Sequence, residues 1–191
     1  IVEDYCKRGC LRPEPEAPAL LRNISAPDGR RRPADVFVCS ACFARRLPDG
    51  SRLAGRRVAL DFAIINAVGR GHWNATLQEP GSAEIAHAER KCRYQDTRNK
   101  CQQVGLEFQP MIMSSQGGMT PAMGGILHGI ANAVATMEGA LLEVVRKDMF
   151  ERLAIAITRS NARAIARRRV GGIGVQFRAA STVHLEEPPG S

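Results

Sequence analysis

Aromatic side chains are scarce: six Phe, two Tyr and one Trp make up 5% of the 191 residues. A core built on stacked rings is thereby excluded. The 44% hydrophobic fraction must pack as Ala, Ile, Leu, Val and Met, and it is too large for a wholly disordered chain. No apolar run nears the roughly 20 residues that span a bilayer, and no secretory signal is visible. A membrane partner is therefore not expected, and reduced thiols are the default. The chain begins at Ile1 rather than Met and reads as part of a longer polypeptide. Acidic residues are the minority, 19 Asp and Glu against 27 Lys and Arg, for a net charge of +8.

That excess is almost all arginine, the side chain suited to forked contacts with phosphate. It clusters at Arg30, Arg31 and Arg32, at Arg45 and Arg46, at Arg52, Arg56 and Arg57, and at Arg167, Arg168 and Arg169. The balance favours a polyanionic partner, although a solvated face on an arginine-rich chain accounts for the charge equally well. Cys6 and Cys10 form a C-x3-C pair, and Cys39 and Cys42 a C-x2-C pair. Four thiolates so grouped could bind one structural zinc. The second pair falls in an expected hairpin and neither is ringed by small turn residues, so free cysteines are expected instead.

Residues 1–29 are rich in Pro, Glu and Arg and read as an irregular segment or the remnant of a preceding domain. Residues 34–38 form a short strand, and a loop with the turn signal Pro48-Asp49-Gly50 follows. Residues 57–65 form a second strand, with Val58, Leu60, Phe62 and Ile64 on one face and Ala59, Asp61, Ala63 and Ile65 on the other. Residues 82–104 predict a helix capped by Ser82 and closed by Gly105. Residues 106–113 read as a buried strand in which Pro110 argues for an edge position. Helical spacing runs from Thr120 to Val145 and again over 149–168, and a short strand is expected at 174–177 in a flexible tail, 171–191. A hairpin, a crossover helix, a further strand and two C-terminal helices make an α/β sandwich over 30–170.

Metal-assisted phosphodiester hydrolysis needs carboxylates from adjacent strands to hold Mg²⁺ and a cation near the attacking water. Asp35 and Asp61 can lie side by side in an antiparallel hairpin. On the next helix, Glu84, His87, Lys91, Tyr94 and Arg98 fall within an arc of about 80°. If that face looks toward the hairpin, Lys91 reaches the water or the scissile phosphate. Polar residues on one helix side are more often simply its wet side.

The string Arg31-Arg32-Pro33-Ala34-Asp35-Val36, then Ala59-Leu60-Asp61-Phe62-Ala63-Ile64, then Ala88-Glu89-Arg90-Lys91-Cys92-Arg93-Tyr94, then Phe108-Gln109-Pro110-Met111-Ile112 and Gly117-Gly118 resembles one family. It is similar to the restriction-like endonuclease domain at the C-terminal end of site-specific non-LTR retrotransposon reverse transcriptases and in related transposon-derived proteins. The resemblance covers about residues 30–168. It implies a restriction-endonuclease-like fold of the PD-(D/E)xK type that nicks target DNA. Asp35 and Asp61 would be the metal-binding acids, Lys91 a lysine moved from strand to helix, and Tyr94 a phosphate contact. Arg31, Arg32, Arg57 and Arg98 would bind nucleic acid. Mg²⁺ as cofactor, DNA as partner with the element's own RNA as a second one, and an intracellular, nuclear location are expected on the same ground. Three departures stand out: Ala63 sits where the plain motif has lysine, Met113-Ser114-Ser115 lacks an acid, and the loop between the two acids is long. They leave open a degenerate copy, a non-catalytic basic nucleic-acid-binding module, or a helical protein-interaction module built on residues 120–168.

Overall fold

The computed structural model describes residues 1–16, 20–21, 24, 33–38, 57–69 and 73–180. The elements run in the order α1 (Val2–Arg8), β1 (Pro13–Pro15), β2 (Val36–Val38), β3 (Arg57–Ile65), α2 (Trp73–Gln78), α3 (Ser82–Arg93), α4 (Thr97–Gln103), β4 (Leu106–Ser114), α5 (Pro121–Glu138) and α6 (Leu142–Ala180). The four strands form one mixed sheet in the order β1-β2-β3-β4, with β3 and β4 parallel and the other pairs antiparallel. The parallel pair is joined by the helical crossover α2–α4, since parallel neighbours cannot be linked by a tight turn.

The alternation read from β3 holds and explains why helices cover both sides of the sheet. Val58 and Leu60 join Val36, Val38, Met111 and Met113 in a cluster under α1, α5 and α6, with Phe62 packed against it. The opposite face carries Ala59, Phe37, Phe108 and Leu106 against Cys92 and Cys101 of α3 and α4. Farther along that face Ile65 and Ile112 meet Ala83, with Ala63 and Ala88 beside them. Small residues on this side of β3 let α3 come close. Asp61 lies between Ala59 and Ala63 and therefore points toward that helix.

Pro110 sits on an edge strand, as its missing N–H requires. Several expectations need correction. The N-terminal segment expected to be irregular carries α1 and β1: β1 pairs with β2, and Val2, Tyr5, Cys6 and Leu11 enter the main core. The apolar periodicity that marks a helix is too short to read in seven residues. The first strand covers Val36–Val38 rather than 34–38. The single helix expected over 82–104 breaks into α3 and α4 at a 3-10 turn, Tyr94–Asp96, where Gln95 and Asp96 have φ of 47° and 57°. Gly81, not Ser82, occupies the N-cap of α3. The strand expected at 174–177 is helical, because α6 continues to Ala180. The turn at Pro48-Asp49-Gly50, together with Cys39 and Cys42, lies outside the described residues. Cys6 and Cys10 are free, and burial pushes the Cys6 thiol up to about 12. No helix among the described residues is long and apolar enough to cross a membrane.

Candidate active site

The β2–β3 register pairs Val36 with Leu60, and its continuation sets Asp35 opposite Asp61. The Asp35 N–H donates to Leu60 O at 2.9 Å, and its carboxylate Oδ2 accepts the Phe62 N–H at 2.7 Å. The carboxylate is thereby held against the backbone beside Asp61. From above the sheet, Lys91 of α3 donates through Nζ to Asp61 Oδ2 at 2.7 Å and makes a longer contact to Phe62 O at 3.5 Å. The Lys91 and Asp61 side chains are 25% and 22% exposed, so the pair is neither a free surface bridge nor a sealed one. Burial pushes the Asp61 carboxyl above its ordinary range, Lys91 works against that, and the Asp35 charge adds to the upward push.

Asp61 and Lys91 border an open cleft of about 580 Å³ whose other lining residues are Pro33, Arg90, Tyr94, Gln95, Thr97 and Phe108. Tyr94 stands at its edge, 64% exposed. The 3-10 turn forms one wall and is tied down by Thr97 Oγ1 donating to Tyr94 O at 2.6 Å and Asn99 Nδ2 to Asp96 Oδ1 at 2.6 Å. Two successive non-glycine residues in the left-handed region are costly and persist only where surrounding contacts over-determine them. Arg90, Gln95 and Thr97 were absent from the sequence reading of the site. The adjacency of Arg90 to Lys91 is the only signal for them, because the left-handed turn that brings Gln95 and Thr97 round has no glycine to mark it.

Of the expected site residues, Asp61, Lys91 and Tyr94 meet at the cleft, and Asp35 stands across from Asp61. Arg57 does not join them: it opens β3, four residues before Asp61, and donates from Nη2 to Val104 O at 3.2 Å, bracing the turn ahead of β4. Arg98 stands beside Cys92, where its charge opposes the upward push that burial gives the thiol. Arg31 and Arg32 lie outside the described residues. The polar face expected on α3 is not uniformly wet. Glu84 is 3% exposed, its Oε2 has no hydrogen-bond partner among the described residues, and a Cβ added at Gly118 would meet its Oε1 at 2.5 Å and Ser114 Oγ at 2.9 Å. The helix thus brings an acid to the end of β4, where the sequence Met113-Ser114-Ser115 has none. His87 is engaged at the surface by Arg90 at 2.6 Å.

Two carboxylates, Asp35 just ahead of β2 and Asp61 in β3, are hard oxygen donors of the kind Mg²⁺ takes, usually with water completing the shell. They fit that ion in type. No group of three or more His, Cys, Asp or Glu is placed to hold a metal among the described residues. Comparison with family models, curated proteins and solved structures finds no match to this chain.

Proposed function

We propose that the chain is a metal-dependent DNA endonuclease domain of retroelement origin, with a restriction-endonuclease-like core. The observation that carries this reading is the contact of Lys91 Nζ with Asp61 Oδ2 at 2.7 Å, with Asp35 across the strand pair. An acid–acid–lysine trio, of which Asp61 and Lys91 line an open cleft, is the constellation phosphodiester hydrolysis needs. Asp35 and Asp61 would hold Mg²⁺, which supplies charge neutralisation at the scissile phosphate and a more acidic water. Lys91 carries an ammonium to the same point, where it would stabilise charge developing on the phosphoryl oxygens. The Tyr94 phenol at the cleft edge can donate to a flanking phosphate, and Arg90 adds a fork on the same wall.

In the Asp35→Ala, Asp61→Ala variant, Mg²⁺-dependent nicking of supercoiled plasmid should fall at least about 100-fold, as loss of a charge-stabilising group does. Salt-sensitive DNA binding should remain. Undiminished nicking by the double variant sinks the assignment. A second reading, a basic module that binds nucleic acid without cutting it, is favoured by one observation: both carboxylates already have internal donors, Lys91 for Asp61 and the Phe62 N–H for Asp35. Under it, the parent protein binds DNA equally with and without Mg²⁺ and never relaxes the plasmid.

A further inference from the structure

After Ile157, which is buried in the core, α6 leaves the body of the protein. Residues 158–167 are exposed except for half-buried Asn161, whose amide donates to Ser115 O at 2.8 Å and ties the helix to the end of β4. From residue 152 to 180 the chain contains seven arginines and no Asp or Glu. Arg159, Arg163 and Arg167 recur every four residues, so they stand about 6 Å apart in a row that turns only about 40° per step. Ile157 and Asn161 lie on the other side of the helix, so the row points away from the body. Ala156, Ser160 and Ala164 leave a shallow trough of about 410 Å³ between the arginine stems. None of the three arginines has a hydrogen-bond or ion-pair partner among the described residues.

Like charges four residues apart destabilise a helix, and no acid on this stretch offsets them. Such a row is electrostatically incomplete without an anion, and guanidinium forks match phosphate in shape as well as charge. We infer that Arg159, Arg163 and Arg167 form a docking surface for the sugar–phosphate backbone of duplex DNA, independent of base sequence. The inference rests on the nucleic-acid reading of this chain but not on its catalysis. Phosphate contacts of this kind fix where a protein sits on a duplex and carry no sequence information. An anionic lipid surface is the poorer match: exposed Ile155 and Ile165 lie ten residues apart and form no apolar stripe for a bilayer.

The test is fluorescence anisotropy of a short labelled DNA duplex with the full chain across a salt series. The Arg159→Gln, Arg163→Gln, Arg167→Gln variant should show a slope of log affinity against log salt shallower by roughly 2.7, about 0.9 per lost phosphate contact. A control removes the same charge from Lys7, Arg93 and Lys147, each paired with an acid four residues away, and should leave the slope nearly unchanged. Circular dichroism should show the same helix content in the parent and the arginine variant, so that a changed slope reports lost contacts and not a lost helix. Equal losses in variant and control, no DNA binding by the parent, or tighter row-dependent binding to phosphatidylserine vesicles than to DNA each overturn the inference. Row-dependent binding without any nicking leaves it standing while removing the endonuclease reading. Nicking with an unchanged salt slope does the reverse.

Discussion

Asp61 sits where burial and the neighbouring Asp35 both disfavour its charge, and only Lys91 favours it. Its carboxyl is held above the ordinary value of 3.8, so the folded chain takes up a proton more readily than the unfolded one. The contribution to stability is therefore complete below the unfolded value and is lost as pH rises through the elevated folded one. At neutral pH an ionised Asp61 is therefore a stability cost carried at the cleft rim. Chemical denaturation from pH 3.5 to 7, pH values chosen to bracket roughly that carboxylate window, should show the parent losing stability on going upward relative to Asp61→Asn. Parallel curves for the two proteins would mean that the carboxyl is not perturbed by folding. The acid pair and Lys91 were legible in the sequence because strand alternation and helical period both point to fixed faces. The inward turn of Glu84 was not, because nothing in its spacing separates an acid facing solvent from one packed against a glycine turn.

At the scale of elements, the parallel pair β3–β4 depends on a strand interrupted by proline. The register sets Pro110 beside Asp61, and the Gln109 side chain donates to Pro110 O at 3.2 Å. A carbonyl reached by a side chain points away from β3, and a strand residue's N–H side shares that direction, so the missing donor falls on the open edge. Pro110 therefore costs the sheet no ladder bond and removes a donor that another chain could use. Pro110→Val should leave the monomer fold intact and increase self-association, measured by sedimentation velocity at rising protein concentration. An unchanged sedimentation profile would show that the edge is protected by other means. The long strands and helices were readable from period alone, and β3 matches its expected limits end to end. The break between α3 and α4 was not, because residues 82–104 hold no Pro or Gly and the turn is made by Gln95 and Asp96 in left-handed conformations.

For the whole molecule, the decisive difference from the sequence reading is the N-terminus. Residues of low periodicity and high Pro and Glu content read as an appendage, yet the pairing that makes them structural is long-range and leaves no local pattern. Tyr5 shows the scale of it. Its hydroxyl donates to Asp148 of α6, burial raises its pKa to about 12, and the guanidinium groups of Arg8 and Arg152 lie 4.6 Å and 5.8 Å from its ring centre. Arg8 in turn makes a forked contact to Glu138 of α5 at 2.7 Å and 2.9 Å. One seven-residue helix thus links the two C-terminal helices, and β1 covers the outer edge of β2. Burying an aliphatic side chain contributes about 1.5–3 kcal/mol. Losing Val2, Leu11 and the Tyr5 ring together therefore approaches the roughly 5–15 kcal/mol that a domain has in all. Deletion of residues 1–16 should abolish cooperative thermal unfolding, or lower its midpoint by tens of degrees, in a calorimetric scan of the otherwise complete chain. A truncated protein that melts cooperatively at the parent's Tm would return these residues to the status of a remnant. It would also place the folding unit at 30–170, where the order of expected elements puts it.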